Sequence, residues 1–415
     1  MLALLDAALH QAGQNFMATP WLFLSMPLIA AVIGYVTKIA AVRMMFYPLE
    51  FIGIKPYLGW QGVIPRKAVK MASIAVDVIT SKLITIEEIF ARLDPRQIAA
   101  EIEKPMLGAV EQITREVLSQ HQPGLWEMLP NFVRERLIKR VQAEAPQVVA
   151  EVMKDLRSNI GDVFDLKHMV INSLLRDKTL LNRVFAEVGR KEFKFFGYSG
   201  LVFGFIIGLV QMVTWLFYQS PWILPAFGIF IGFASDWLAL QMLFYPKRPI
   251  KILGLTYQGL FLRRQQEVSR DYARLVADQI ITPGNIWQGI LEGPGSDKLF
   301  ALVQKHVEKT VDEQAGIARP LVAFAIGSRQ YQDMKKAVTQ KLVETLPQTM
   351  KHVEGYAEGA MDVRNTLMDR MQKLSPEEFE GMLRPAFKED EWSLILVGAV
   401  LGGIVGELQT YMLLH

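Results

Sequence analysis

The sequence predicts an all-α membrane protein, in which four transmembrane helices from two tandem parallel repeats carry two large amphipathic helical cytoplasmic domains. Three observations predict this fold class. The apolar stretch Gly34–Pro48 is followed 198 residues later by a similar stretch, Gly232–Pro246, and both end in Phe-Tyr-Pro. Uncharged apolar runs of roughly 20 residues are typical of membrane spans. Two Gly-xxx-Gly-xxx-Gly ladders also lie 198 residues apart.

The composition excludes several other classes of protein. The 415 residues are 51% hydrophobic and 21% charged, which is too apolar for an ordinary soluble protein and too charged for a bundle wholly inside a bilayer. A formal charge of +3 is too small to indicate a nucleic-acid partner. The chain has no cysteine, so disulfides, thiolate catalysis and Cys-ligated zinc are excluded. The N-terminus lacks the basic segment of a cleavable signal, so we expect the first apolar run to be retained.

The spans alternate with long charged segments in which apolar residues recur at three-to-four spacing, as in amphipathic helices. Each span pair encloses one such segment, which begins with a Gly- and Pro-rich connector. In chain order we predict a lead (1–20), the first span (21–47), helical domain 1 (48–192), the second span (193–218), the third span (222–246), helical domain 2 (247–391) and the fourth span (393–414).

The topology follows from the number of spans and from the charges that flank them. Two spans per repeat make the repeats parallel, related by a pseudo-two-fold axis along the membrane normal. Lys and Arg side chains cluster at the span ends that join the helical domains, and the opposite ends have none. The positive-inside rule therefore predicts cytoplasmic helical domains in the inner membrane of a bacterium, with both termini facing outward.

These residues resemble the DUF445 family of bacterial membrane proteins, whose Bacillus-type members are also named UPF0754. The resemblance covers essentially the whole chain. It rests on the Gly-x-x-Thr-Asn-x-x-Ala-x-Lys-Met-Leu-Phe-x-Pro helix end, the connector Gly62–Lys67, the Ile-Thr steps at Ile84-Thr85 and Ile281-Thr282, and a Gly-rich return helix that ends in Gln. The family has no settled biochemical activity, so the resemblance implies a fold and a membrane location and no function.

The chain departs from the family at the Asn of the helix-end motif, which is Lys38 in the first copy and Asp236 in the second. Arg43 keeps the family's cation in the first copy, whereas Gln241 replaces it in the second. Because a charge in hydrocarbon costs roughly 2.5–3.5 kcal/mol on insertion scales, we expect Lys38 and Asp236 to face each other across the pseudo-two-fold axis. Two interpretations stay open, a gate or ion-coupling pair and a structural salt bridge.

Other polar side chains inside the spans are further candidates. Glu407 in the fourth span is either a proton-binding carboxylate, a partner for Lys38 or Arg43, or an interfacial residue near the outer end. Gln211 and Gln409 end the two return helices, and we expect them to form hydrogen bonds between helices.

Small residues and connector cations complete the candidate set. We expect the small residues to let helix backbones approach closely, and an alternative is that the same ladders mediate oligomers. These glycines are Gly34, Gly200, Gly204, Gly208, Gly232, Gly398, Gly402 and Gly406. Beyond the spans, Arg66, Lys67, Arg263 and Arg264 suit anionic lipid head groups or simply set the topology.

Signals of catalysis are absent from the sequence. The six histidines are scattered, and neither a Walker loop nor Gly-x-Gly-x-x-Gly occurs. We therefore predict no enzyme activity, no cofactor and no metal, with the bilayer, anionic lipids and further copies of the chain as partners. The first functional hypothesis is an oligomeric, membrane-anchored scaffold that organises the envelope. The alternative is a lipid or ion transporter or channel that uses Lys38 and Asp236.

Overall fold

The structure is a computed structural model that describes residues 19–54, 58–121, 123–252, 254–315, 328–383 and 391–414, with six further positions between 10 and 17. Most of the predicted lead at residues 1–20 therefore lies outside the described residues. The elements of the first half are α1 (Pro20–Phe46), β1 (Ile52–Ile54), β2 (Leu58–Trp60), α2 (Val63–Arg66), α3 (Ala68–Val78), a π-helical turn (Ile79–Leu83), α4 (Ile86–Ala91), α5 (Pro95–His121), α6 (Pro123–Met128), α7 (Asn131–Ser158), α8 (Ile160–Val163), α9 (Leu166–Arg176), α10 (Lys178–Val188) and α11 (Arg190–Phe217).

The second half has a similar order of elements. They are α12 (Ile223–Phe244), β3 (Ile250–Ile252), β4 (Leu255–Tyr257), α13 (Leu260–Arg263), α14 (Gln265–Gln279), α15 (Pro283–Glu292), α16 (Ser296–Ala315), α17 (Ser328–Met350), a 3₁₀ turn (Lys351–Val353), α18 (Glu354–Met361), α19 (Val363–Lys373), α20 (Pro376–Leu383) and α21 (Glu391–Leu414).

Four of these helices, α1, α11, α12 and α21, are long and apolar enough to cross a membrane. Their bounds agree with the predicted spans to within three residues, and the prediction of an all-α protein with four membrane-spanning helices is confirmed. The first span ends where Phe46 meets an extended Tyr47 and then Pro48. Asn182 donates a hydrogen bond of 2.6 Å to the carbonyl oxygen of Phe46, which satisfies a backbone group that the helix end leaves open.

The connectors after the first and third spans contain short antiparallel hairpins that the sequence analysis described only as turns. Strand β1 pairs with β2 in the register Ile52↔Trp60, and β3 pairs with β4 in the register Ile250↔Tyr257. Gly53 and Gly254 adopt φ angles of 136° and 79°, which glycine tolerates and other residues rarely adopt. Each strand has only three residues, too few for a period-two pattern to be recognised in the sequence.

The two Ile-Thr steps, Ile84-Thr85 and Ile281-Thr282, provide helix N-caps. Thr85 Oγ1 accepts a hydrogen bond of 3.3 Å from the backbone N–H of Glu88 at the start of α4. Thr282 Oγ1 accepts one of 3.2 Å from the backbone N–H of Asn285 at the start of α15. A threonine at this position satisfies an N–H group that the first turn of a helix leaves unpaired.

The chain divides into two compact units. Unit 1 consists of residues 1–75, 174–272 and 369–415, and unit 2 of residues 76–173 and 273–368. Both predicted helical domains, 48–192 and 247–391, therefore contribute their ends to the unit that holds the spans and their centres to a shared helical unit. Amphipathic periodicity identifies the apolar face of each helix, but it does not show that the faces of the two halves cover one another.

In unit 1, the first span packs against the second and the third against the fourth, with backbone nearly touching backbone. A Cβ atom on Gly34 would lie 2.5 Å from the carbonyl oxygen of Gly200, and one on Gly232 would lie 2.1 Å from that of Gly398. The two ladders continue these contacts, with Gly204 against Ala30, Gly208 against Pro27, Gly402 against Gly228 and Gly406 against Leu224. Both ladder faces are thus occupied by spans of the same chain.

Unit 2 is a helical body with an apolar core, formed by both halves of the chain. The ring of Trp287 packs edge-on against Phe90, with 5.9 Å between ring centroids. Arg92 Nη1 donates hydrogen bonds to the carbonyl oxygen of Met361, at 2.8 Å, and to Thr366 Oγ1, at 2.6 Å. These contacts tie the start of the first helical segment to the end of the second.

Replacing Gly200 by alanine should separate the first two spans, because the new Cβ would lie 2.2 Å from the carbonyl oxygen of Gly34. Gly197→Ala is the matched control on the same helix, since its Cβ would have no neighbour nearer than 3.6 Å. We expect Gly200→Ala to lower the thermal unfolding midpoint in detergent. Gly197→Ala should leave it unchanged or raise it, because alanine favours helix over glycine by about 1 kcal/mol. Equal midpoints for the two variants would contradict the close approach.

Candidate functional site

The candidate site is a buried ion pair that joins the first and third spans. Lys38 lies about two helical turns before the end of α1, and Asp236 holds the equivalent position on α12. Their side chains are 0% and 1% exposed, and Lys38 Nζ lies 3.7 Å from Asp236 Oδ1. The structure thus brings together Lys38 and Asp236, which hold the same position of the two Phe-Tyr-Pro helix-end motifs, at a place that solvent does not reach.

The ammonium group of Lys38 has further polar partners on two neighbouring spans. Its Nζ donates a hydrogen bond of 2.8 Å to Ser199 Oγ on the second span and another of 2.8 Å to the carbonyl oxygen of Ser235 on the third. Ser199 Oγ in turn donates to the carbonyl oxygen of Phe196, at 2.7 Å. The ammonium therefore donates two hydrogen bonds, and the Asp236 carboxylate faces it as a charge at 3.7 Å, beyond hydrogen-bond distance.

Aromatic rings and a glycine enclose the same cation. Lys38 Nζ lies 4.6 Å from the ring centroid of Phe196 and 5.8 Å from that of Phe203, both within the range of cation–π attraction. A Cβ atom on Gly200 would lie 3.0 Å from Lys38 Cδ, so a larger residue there would press on the lysine stem. The second span thus supplies the acceptor, the rings and the space for one side chain of the first.

The carboxylate of Asp236 is also buried, but its hydrogen bonding is less complete than that of the Lys38 ammonium. Its Oδ2 atom is buried and has no hydrogen-bond partner within the described part of the chain. On the fourth span, a Cβ atom on Gly398 would lie 2.1 Å from this oxygen, so only glycine fits against the carboxylate. All four spans therefore meet at the Lys38–Asp236 pair.

The Lys38–Asp236 pair adds little net stability to the fold, but each charge depends on the presence of the other. Two unit charges at 3.7 Å attract each other by about 4 kcal/mol at an effective dielectric constant of about 20. Taking each ion out of water costs several kcal/mol, so attraction and desolvation nearly cancel. Removing one partner leaves the other charge buried and uncompensated, which is strongly destabilising. We infer that the pair fixes how the first and third spans meet.

The remaining polar candidates of the spans are dispersed. Arg43 and Glu407 are exposed on the outer surface of unit 1, and Gln241 is half-buried. Lys38 pairs with Asp236, so the alternative that Glu407 is its partner is wrong. Exposed positions on a span face lipid or head groups, where long side chains extend towards water.

Gln211 and Gln409, in the last two turns of the return helices α11 and α21, are both buried, with Gln211 1% exposed and Gln409 6%. The expectation of a hydrogen bond between helices is wrong for Gln409 Nε2, which has no partner among the described residues. Thr410, the next residue, instead donates a hydrogen bond of 3.4 Å to the carbonyl oxygen of Pro221 in the turn between the second and third spans. One residue along a helix rotates a side chain by about 100°, which sequence spacing alone did not resolve.

A second cluster of charges lies at the end of the second span that joins helical domain 1. Arg264 Nη1 donates to Glu192 Oε1, and Arg264 Nε donates to Glu267 Oε2 at 3.0 Å. Lys191 also donates to Glu267. Hydrogen bonds from Arg264 and then from Lys191 lower the pKa of the Glu267 carboxyl to about 2. The charge of Arg264 is therefore paired with carboxylates of the protein itself, whereas the sequence analysis considered this residue for binding a lipid head group.

The other connector cations are more open to their surroundings. Arg66 and Arg263 are exposed, and Lys67 is half-buried. Within the described part of the chain, no group of three or more His, Asp or Glu side chains is placed to hold a metal ion. Sequence reasoning missed Ser199, Glu192 and Glu267, although Glu192, Phe196 and Ser199 follow the helical spacing i, i+4, i+7 that places them on one face.

Breaking the pair from one side should destabilise the protein, and removing both charges should restore it. We expect Lys38→Met to lower the free energy of unfolding by about 3–5 kcal/mol, because the Asp236 carboxylate stays buried without a cation. The double variant Lys38→Met/Asp236→Leu should regain most of that loss. Thermal unfolding in detergent, followed by tryptophan fluorescence, measures both. A double variant as unstable as the single one would show that mutual neutralisation is not the role of the pair.

Comparison with known proteins gives relatives over nearly the whole chain. The chain is similar to the UPF0754 membrane protein of Synechococcus sp. (strain JA-3-3Ab), with 22% identity over 430 residues that cover 95% of this chain and 99% of the relative. It is also 22% identical over 428 residues to a UPF0754 membrane protein of Nostoc sp. (strain PCC 7120 / SAG 25.82 / UTEX 2576), covering 94% and 95%. No family model and no solved structure matches. The resemblance to UPF0754 is thereby confirmed, and the chain is a membrane protein related to that family over nearly its whole length.

Proposed function

We propose that the protein is a membrane-anchored scaffold of the bacterial inner membrane, which holds a helical body at the cytoplasmic face. One observation carries this proposal. The Lys38–Asp236 pair is excluded from solvent and closed by contacts from all four spans, with exposures of 0% and 1%. A pathway for ions or lipids requires polar groups that line an open route, whereas these groups seal a packed core.

Equivalent features of the two halves support a tandem repeat within this scaffold. Both the first and the third span end at a Tyr-Pro step, Tyr47-Pro48 and Tyr245-Pro246. After each proline, a glycine N–H donates to the proline carbonyl oxygen, Gly62 to Pro48 at 2.9 Å and Gly259 to Pro246 at 3.0 Å. With two spans per half, the repeats of this proposal are parallel, and the pair Lys38–Asp236 crosses their pseudo-two-fold axis.

The charges at the span ends support the proposed orientation. Cations cluster where the spans join the helical segments, and the positive-inside rule assigns those ends to the cytoplasm. In this proposal both termini face outward, and anionic lipid head groups meet the exposed Arg66 and Arg263. Oligomers would form through surfaces other than the glycine ladders, since spans of the same chain already cover the ladders.

One observation favours the alternative of a transporter or channel. Asp236 Oδ2 is buried and has no hydrogen-bond partner among the described residues, and such a carboxylate oxygen is a potential binding point for a proton or a cation. In that case the spans would have to open a route to the pair during each transport cycle. The scaffold proposal requires no such opening.

The orientation is tested with single cysteines, because the natural chain has none. We expect Ser220→Cys, in the turn between the second and third spans, to react in intact cells with a membrane-impermeant maleimide after the outer membrane is permeabilised. Ala301→Cys, an exposed position of unit 2, should react only after lysis. Labelling of both positions from the same side would reverse or disprove the proposed topology.

The scaffold is tested with the double variant Lys38→Met/Asp236→Leu, once it has been shown to insert and fold. We expect proteoliposomes of the wild type and of the double variant to show the same passive leak of protons and monovalent cations, because neither provides a route. The double variant should also complement a strain that lacks the gene as well as the wild type does. A flux that the wild type has and the folded double variant lacks would establish the transport alternative instead.

A further inference from the structure

The end of the helix pair α5 and α7 at which α6 joins them, in unit 2, presents large apolar side chains to solvent. Met128 is 81% exposed and Phe132 is 70% exposed, whereas most large apolar side chains of a soluble helical body are buried. They lie on either side of Pro130, where α6 ends and α7 begins. We call residues 123–140 the arm tip.

Local contacts hold the arm tip in its conformation, so the exposure of these side chains does not arise from a frayed end. The guanidinium of Arg134 lies over the ring of Trp126, 5.2 Å from its centroid. Arg134 Nη2 also donates a hydrogen bond of 2.8 Å to the carbonyl oxygen of Glu127. Trp126 is 8% exposed beneath this contact, and Met128 and Phe132 remain on the outside.

Cations accompany the apolar side chains. The arm tip contains four Lys or Arg side chains and two Glu side chains. Phe132, Arg136 and Lys139 are exposed and follow the spacing i, i+4, i+7, so they form one stripe along α7. Exposed apolar side chains beside a basic stripe are complementary to the interface of an anionic bilayer, which buries apolar groups at head-group depth and attracts cations.

We propose that the arm tip docks on an anionic lipid bilayer, with Met128 and Phe132 inserted into the interface and Arg136 and Lys139 on the phosphate head groups. The excess of cations argues against a neutral or basic occupant, and a bilayer interface accepts exposed apolar side chains and cations together without a pocket shaped for them. Docking on an acidic protein surface is the outcome that the test below would detect instead. This inference stands apart from the scaffold proposal, since a transporter with the same helical body would present the same tip.

The test uses the full-length protein with one cysteine, labelled with the environment-sensitive fluorophore NBD. Met128→Cys reports on the tip, and Ala301→Cys, exposed in the same unit, is the matched control. Each is reconstituted in nanodiscs of phosphatidylcholine alone or of phosphatidylcholine with phosphatidylglycerol, and vesicles of the same two compositions are added. We expect a blue shift at position 128 with phosphatidylglycerol, in the disc or in the vesicles, and none at position 301.

Charge removal gives the quantitative test. Arg136 and Lys139 are exposed, so Arg136→Gln/Lys139→Gln should leave folding intact, and circular dichroism checks this. We expect the ratio of inserted to free tip to fall about 30-fold, since each cation near an anionic surface contributes roughly a fivefold factor. Water-like emission at position 128 in every lipid would overturn the proposal. So would a blue shift that appears only when another protein is added, or one that is equal at positions 128 and 301.

Discussion

A lysine and an aspartate that are buried in apolar surroundings each need a charge of opposite sign nearby. The membrane-spanning part of this protein is arranged around that requirement. Lys38 and Asp236 bring the first and third spans together at one depth. The second span contributes Ser199 to the ammonium, and the fourth contributes Gly398, the only residue type that leaves room for the carboxylate. The glycine contacts within each span pair bring the helix backbones close together, and this close packing keeps the two charges enclosed.

Much of the membrane part was predictable because its signals are local. Length and hydropathy located four spans to within three residues, and the equivalent positions of Lys38 and Asp236 indicated that the charges would meet. Ser199 as an acceptor and Arg264 as a partner of Glu192 and Glu267 were missed. Each depends on which helices become neighbours, and that information is held in the packing of distant segments and not in the spacing along one helix.

In unit 2, too, features that depend on neighbouring residues were predictable and contacts between distant segments were not. Periodicity predicted amphipathic helices, and the Ile-Thr steps proved to be N-caps at Thr85 and Thr282. Their assembly into one unit from both halves was not evident, because an apolar face does not indicate which other helix will pack against it. Arg92 reaches Met361 and Thr366, so the first helical segment completes its contacts only after most of the chain has been synthesised.

The unlike charges at equivalent positions also make the two halves of the chain depend on each other. If the halves pair about a two-fold axis as proposed above, two copies of the first half alone would place a lysine against a lysine, and two copies of the second half would place an aspartate against an aspartate. Like charges at such short range in apolar surroundings repel strongly. A half with Asn at this position would avoid that repulsion when paired with a copy of itself, whereas each half of this chain needs the opposite charge that the other half supplies.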